Sequence, residues 1–221
     1  MNHLAQIWQN TWNDVGGAAP KGWLAQVLDA WDEPHRHYHN RRHLEECLAA
    51  FHPVRSQCRH PGEVALALWF HDAVYNTHSN TNEADSADLA ERAMFEAGLT
   101  GPVVGRVRHL ILSSAHANTL ATGDEAVMRD VDVLVLGADA ERYSQYQQGV
   151  RQEFSWVPEP VFKEGRSKVL QSFLGKPRIY LLPEFYDRYE LSARRNLQRE
   201  LKVLNKGNGK GWLANFMKSF S

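Results

Sequence analysis

The adjacent pair His71-Asp72 directly follows a run of apolar residues, Val64–Phe70. Such a run belongs in a protein core, where an imidazole and a carboxylate are costly to bury unless something binds them. A divalent metal ion can bind both groups. Because adjacent residues on an α-helix point about 100° apart, both side chains can reach one ion only in a cleft between helices. The pair therefore predicts a helical protein whose other helices supply the remaining ligands.

Two further segments offer such ligands. His39 and His43 lie four residues apart upstream, so they share one face if that segment is helical. Asp130 and Asp132 interrupt an apolar segment downstream. Two residues correspond to about 200° around a helix, so only one of these acids can face the metal, and their apolar neighbours leave the choice open. Imidazoles and carboxylates without a thiolate suit Mn, Fe, Co, Ni, Zn or Mg and do not select one of them.

The order of these motifs resembles the HD superfamily of metal-dependent phosphohydrolases, whose signature is H…HD…D, and in particular a bacterial group of predicted HD phosphohydrolases. The motifs of that group are YHNxxH, FHDxVY, NExxSA, a later His, DxDLxxLG and ARxNLxxE. In this chain they correspond to Tyr38–His43, Phe70–Tyr75, Asn82–Ala87, His116, Asp130–Gly137 and Ala193–Glu200. Val133 replaces the leucine of DxDL, which changes no chemistry.

The resemblance implies which residues bind the metal. The implied ligands are His43, His71, Asp72 and Asp132. Asp130 is then expected to hold the ring of a ligand histidine. His39 matches the histidine that protonates the leaving oxygen in cyclic-nucleotide phosphodiesterases. A helix cap or a surface salt link is an equally good interpretation of His39.

Glu83 and His116 complete the implied catalytic set. Glu83 would orient the attacking water or a ligand histidine, unless it is only a first-turn acid that stabilises a helix N-terminus. His116 would contact the substrate phosphate, or would bind a second metal together with His109, as in other members of the superfamily. His109 is otherwise expected to be structural.

Several arginines are weaker candidates. Arg41, Arg42 and Arg151 are considered as phosphate ligands because a guanidinium matches phosphate oxygens, with surface solvation preferred for at least two of them. Arg195 and Glu200 are expected to form a salt link between helices rather than to act in catalysis.

The expected function is hydrolysis of a phosphoester, in a nucleotide or another small phosphorylated metabolite, through a metal-activated water. The alternatives are a di-iron HD-type oxygenase and a nucleotide-binding regulatory module. A net charge of −1 provides no field that would recruit nucleic acid or an anionic membrane. Cys47 and Cys58 match no metal or redox spacing and fit a reduced, cytoplasmic setting. A homo-oligomer is compatible with all of these features.

Hydrophobic periodicity and helix-ending residues predict an all-α fold. One HD-domain-like helical bundle is expected over residues 1–205, with a flexible tail over 206–221. No signal-peptide core and no apolar run near the roughly 20 residues that cross a bilayer is seen. Helices are predicted at 24–31, 40–56, from 61 through the apolar run, and at 82–97, 102–112, 125–136, 140–154, 160–174 and 185–204. The polar helix at 140–154 is expected to lie on the surface.

Overall fold

A computed structural model describes residues 3–114 and 121–206 of the chain. Within those ranges the secondary structure is helical throughout and contains no strand, which confirms the all-α fold. The α-helices are α1 His3–Asp14, α2 Trp23–Trp31, α3 Arg41–Val54, α4 Pro61–Phe70, α5 Asn82–Glu96, α6 Pro102–Ser114, α7 Asp124–Asp132, α8 Ala140–Glu153, α9 Glu159–Leu174 and α10 Pro183–Asn205. Short 3₁₀ turns occupy Arg55–Gln57 and Val133–Gly137.

Helix α4 lies at the centre of the molecule. All of its residues from Gly62 to Phe70 are buried, because a helix that is apolar on every side must be covered on every side. Helices α1, α3, α5, α6 and α7 pack around it. Gly62 permits the close approach of α1, since a Cβ at this position would lie 2.8 Å from that of Asp14. The chain leaves α4 directly into His71 and Asp72, so this pair emerges among the surrounding helices.

Tryptophans fix α1 and α2 against the central helix. The sequence patterns gave no prediction for α1, yet its Trp8 and Trp12 are buried. The rings of Trp8 and Trp69 meet edge to face with centroids 5.0 Å apart. Trp31 of α2 donates its indole N–H to the carbonyl oxygen of Trp69 at 3.0 Å. Trp69 itself is fully buried, as predicted.

Helix α8 exposes its polar faces to solvent, as expected of the predicted surface helix at residues 140–154, but one side of it is buried. Tyr143, Tyr146, Val150 and Glu153 are all buried on one side of it. Gly149 allows the chain preceding α3 to lie against this side, since a Cβ there would be 2.9 Å from the carbonyl oxygen of His37. The polar residues that dominate the sequence of α8 occupy its other faces, so average polarity conceals the buried stripe.

The helix predicted at 125–136 ends earlier than expected. Helix α7 stops at Asp132 and the chain tightens into the 3₁₀ turn Val133–Gly137. Asn196 of α10 stabilises this turn by donating to the carbonyl oxygens of Leu136 and Ala138, at 2.9 Å each. Asp132 thus lies at the C-terminal end of a helix.

No helix among the described residues is long and apolar enough to cross a membrane. The predicted C-terminal tail lies outside the described residues except for Lys206.

Candidate metal centre

Four side chains from three parts of the bundle meet in one cluster. They are His43, His71, Asp72 and Asp132, and each offers one ligand atom within 4.8 Å of the others. His43 Nε2 lies 3.1 Å from Asp132 Oδ1 and 3.9 Å from Asp72 Oδ2. His71 Nε2 lies 3.2 Å from Asp72 Oδ2 and 3.4 Å from Asp132 Oδ1. Two imidazoles and two carboxylates at these distances can hold a divalent ion.

The ring of His71 is fixed in the orientation that a metal ligand needs. Its Nδ1 lies 3.0 Å from the carbonyl oxygen of Leu68, which can only accept, so Nδ1 carries the proton. Nε2 is then the nitrogen that faces the cluster, where it is buried and has no hydrogen-bond partner of good geometry. Metal-bound histidines commonly donate their second nitrogen to a carbonyl oxygen in this way. The unpartnered nitrogen is therefore the observation that best fits a cation-binding site.

His43 is held from its other side by neutral groups. Its Nδ1 lies 3.3 Å from the hydroxyl of Tyr38 and 3.7 Å from the Sγ of Cys47. Burial, together with the nearby carboxylates, raises the pKa of the Cys47 thiol well above its ordinary value. Cys47 is thus a neutral packing residue, and the cluster remains a nitrogen and oxygen set.

The histidines of the cluster favour the ionised form of its two carboxylates. Burial opposes ionisation of Asp72, but the adjacent His71 outweighs it and lowers the pKa of Asp72 to about 2. His43 and His71 likewise hold the pKa of Asp132 far below its usual range against the effect of burial. In return, Asp72 and Asp132 raise the pKa of His71 despite its burial. A cation bound between these carboxylates would displace the proton that they favour on the imidazole of His71.

Asp130 does not support a ligand histidine, and that expectation is wrong. Its side chain is fully buried on another face of α7, where Oδ2 accepts the backbone N–H groups of Leu181 and Leu182 at 2.6 and 2.7 Å. Burial raises the pKa of Asp130 to about 6 in spite of these bonds. Of the two acids, only Asp132 reaches the cluster. Helical periodicity could not tell which acid would do so, and the resemblance implied Asp132.

His39 does not lie on the same helix as His43. Helix α3 begins at Arg41 and is capped by Asn40, whose side chain accepts the N–H of Arg42 at 3.1 Å. His39 precedes the cap, with its Nδ1 2.8 Å from Oε2 of Glu153. Burial would lower the pKa of His39, but the hydrogen bond to Glu153 outweighs it and the pKa is raised. His39 is therefore held in place from α8 and not by helical spacing.

Glu153 is a site residue that sequence reasoning missed. Its side chain is completely buried, and Oε1 accepts the backbone N–H groups of His37, Tyr38 and His39 at 2.7 to 2.9 Å. Tyr75 donates its hydroxyl to Oε2 at 2.9 Å. Burial opposes the charge, yet the bond from His39 and those from the backbone lower the pKa of Glu153 to about 2. Glu153 thus fixes both the loop and the imidazole of His39.

Arg36 is a second residue that the sequence did not reveal. Its guanidinium is buried and donates to the carbonyl oxygens of His39 at 3.2 Å, Asp72 at 2.5 Å and Ala73 at 3.1 Å. Glu33 accepts its Nε–H at 2.9 Å. The guanidinium of Arg36 therefore joins the loop that carries His39 to the turn that carries Asp72.

The remaining predicted residues lie apart from the cluster. Glu83 lies in the first turn of α5 and is not in the four-residue group. Its neighbour Ser86 instead holds the chain after the His-Asp pair, accepting the N–H of Val74 at 3.0 Å. His116 lies outside the described residues. The side chain of His109 is 70% exposed and is 3.8 Å from Glu125. The described residues contain no second cluster of metal-type ligands, so they give the di-iron alternative no further support.

The arginines considered for phosphate binding have carboxylate partners. Arg41 pairs with Asp32, Arg42 with Glu46 and Arg151 with Glu159. The expected link between Arg195 and Glu200 is wrong in its partner. Glu200 pairs with Arg166, with Nε–Oε1 at 2.7 Å, whereas Arg195 donates to the backbone oxygen of Leu191.

A cavity of about 530 Å³ opens beside the cluster. Asp132 and His39 are among its lining residues, together with residues of α8, α9 and the turn Val133–Gly137. An ion held by the cluster would be accessible to a small ligand from this cavity.

No family model, no curated protein and no solved structure matches this chain. The fold and the site themselves define an all-α protein with a candidate centre for one divalent metal ion.

Proposed function

We propose that this protein is a metal-dependent phosphohydrolase of the HD superfamily that hydrolyses a small phosphoester. The observation that carries the proposal is the convergence of His43, His71, Asp72 and Asp132 beside a cavity, with the buried Nε2 of His71 lacking a hydrogen-bond partner. The same residues fit the H…HD…D order of that superfamily. A divalent ion held there would lower the pKa of a coordinated water and polarise a phosphoryl oxygen.

His39 is the proposed general acid. Its Nδ1 is bonded to Glu153, which leaves Nε2 for proton transfer to a substrate in the cavity that His39 lines. A general acid must carry its proton at the working pH, and Glu153 favours that form by raising the pKa of His39. In the reaction, the oxygen of water bonds to phosphorus and the bond from phosphorus to the leaving oxygen breaks. The proton of His39 passes to that oxygen. The attacking water releases one proton to the solvent, and the solvent returns one proton to His39, so the protons balance.

The metal site is tested with protein purified without chelator and supplied in turn with Mn, Fe, Co, Ni, Zn and Mg. We expect one ion per chain and hydrolysis of nitrophenyl phosphate. The variant His71→Ala should lose stoichiometric metal while keeping its helical circular dichroism. His109→Ala is the matched control, because this exposed histidine belongs to a neighbouring helix and lies outside the cluster. Wild-type protein that holds none of these ions would refute the proposal.

A further inference from the structure

The cavity beside the candidate metal centre is lined mainly by apolar side chains. Ten of its sixteen lining residues are valine, leucine or phenylalanine. They include Val150 and Phe154 of α8 and Phe162 and Phe173 of α9. Asp132 and His39 also line the cavity with ionisable groups, and Asp132 is at the same time a member of the cluster. A ligand that fills the cavity would therefore place a polar end at the cluster and an apolar body between α8 and α9.

The arginine in the cavity wall is not available to a substrate anion. Arg166 donates Nε and Nη2 to the two carboxylate oxygens of Glu200 at 2.7 and 3.2 Å, and Nη1 to the hydroxyl of Tyr146 at 2.9 Å. Its charge is neutralised by Glu200, and both residues are buried. A phosphate group that bound Arg166 would have to break its pair with Glu200, and breaking a buried ion pair is costly. The phosphate end is thus expected at the metal cluster.

A nucleotide fits these walls poorly. A base and a ribose carry many donors and acceptors, and each loses its hydrogen bonds to water if it enters an apolar pocket without a replacement partner. A hydrocarbon chain has no hydrogen bonds to water to lose, and its burial makes binding more favourable. Apolar pockets with a few polar groups at one end commonly bind such ligands.

We infer that the cavity binds the hydrocarbon part of a phosphate monoester whose phosphate lies at the metal centre. The substrate class is accordingly an ester of phosphate with an apolar alcohol. This inference rests on the proposed function for the placement of the phosphate, whereas the apolar part of the site is tested independently of hydrolysis.

Gly165 offers a position at which a larger side chain would fill part of the cavity. It is an exposed residue in the middle of α9, it lines the cavity, and a Cβ built on it meets nothing within 4 Å. The side chain of Gly165→Leu would occupy part of the space that the ligand needs. Gly105→Leu is the matched control, since Gly105 is an exposed glycine in α6 that also has nothing within 4 Å and does not line the cavity. Both changes replace a helical glycine and favour helix formation equally.

The experiment measures the affinity of metal-loaded protein for a series of alkylphosphonates from ethyl to octyl, by calorimetry below their micelle concentrations. These compounds cannot be hydrolysed, so binding is read without catalysis. Each buried methylene should strengthen binding by about fourfold, and octylphosphonate should bind at least roughly 100-fold more tightly than ethylphosphonate. Gly165→Leu should remove most of this dependence on chain length, whereas Gly105→Leu should keep it.

Equal affinities for the ethyl and octyl compounds, or no binding of either, would overturn the inference. So would tighter binding of adenosine monophosphate than of octylphosphonate. If Gly165→Leu does not fold, Val161→Lys replaces it, because Val161 lines the same cavity and is 59% exposed. Unchanged chain-length dependence in the folded variant would also refute the assignment. Chain-length dependence without hydrolysis of any phosphate ester would support the cavity and refute the phosphohydrolase, so the two failures are distinct.

Discussion

Replacing Glu153 by glutamine tests how the site is held together. Glutamine keeps the size and one carbonyl oxygen for the N–H groups of residues 37–39, but it removes the charge that those donors and the imidazole of His39 share. The fall in the pKa of Glu153 from 4.5 to about 2 corresponds to a stabilisation of about 3 kcal/mol at pH 6. The raised pKa of His39 expresses the same attraction and is not added to it. Glu153→Gln should therefore lower the free energy of unfolding by about 3 kcal/mol at pH 6.

The sign of the pH dependence follows from the lowered pKa. The stabilisation by Glu153 is complete above its unfolded-state pKa of 4.5 and is lost as the pH falls towards about 2. At pH 3 the wild-type protein should already have lost about 2 kcal/mol of it, so the difference between wild type and Glu153→Gln should shrink to about 1 kcal/mol. Urea unfolding followed by circular dichroism at both pH values measures these differences.

A surface glutamate provides the control for this measurement. Glu159 pairs with Arg151 and Lys163, but its side chain is 53% exposed, so Glu159→Gln should change the stability little at either pH. A Glu153→Gln protein as stable as the wild type at pH 6, or a difference that does not shrink at pH 3, would refute this account of the loop.

Three further predictions concern the cluster and its supports. Asp132→Asn should weaken metal binding by at least roughly 100-fold, since an amide oxygen is a poorer ligand than a carboxylate. Asp130→Asn should leave the metal affinity unchanged, because the side chain of Asp130 binds the backbone of residues 181 and 182. Equal losses of affinity for the two variants in metal titrations would contradict this assignment. His39→Ala should lose much activity on alkyl phosphates and little on nitrophenyl phosphate, whose leaving group needs no proton; equal losses on both would make His39 a binding residue. Arg36→Lys should lower the free energy of unfolding in urea by about 2 kcal/mol, because one ammonium group cannot reach the three carbonyl oxygens that the guanidinium binds. A decrease below about 0.5 kcal/mol would show that these hydrogen bonds are dispensable.

The helical fold and the ligand cluster were accessible from the sequence for physical reasons. Apolar spacing along α2 to α10 reports which faces are buried, and glycine and proline mark several of the ends. An imidazole-carboxylate pair at the end of an apolar helix is costly without a partner, so His71 and Asp72 indicated the site directly. The resemblance supplied Asp132, which the helical period alone could not distinguish from Asp130.

The supports of the site were not accessible in the same way. Glu153 meets His39 across more than a hundred residues of chain, and it lies in a helix whose overall polarity suggested solvent exposure. Arg36 binds backbone oxygens, which leave no trace in the side-chain pattern. The end of α7 at Asp132 depends on bonds from Asn196 of α10 to the following turn. Each of these contacts is set by tertiary packing and not by local preference.

The candidate ligands and the cavity walls come from successive stretches of the chain. The ligands lie between His43 and Asp132, whereas the walls, apart from Tyr38, His39 and Asp132, come from residues 133–173. Substitutions within α8 and α9 can thus reshape what is bound without moving a ligand atom. If the cavity binds the ligand as proposed, a library of variants confined to residues 133–173 would change the preferred ligand while keeping the four candidate metal ligands. Glu153 is the exception, because it lies in this stretch and yet holds His39.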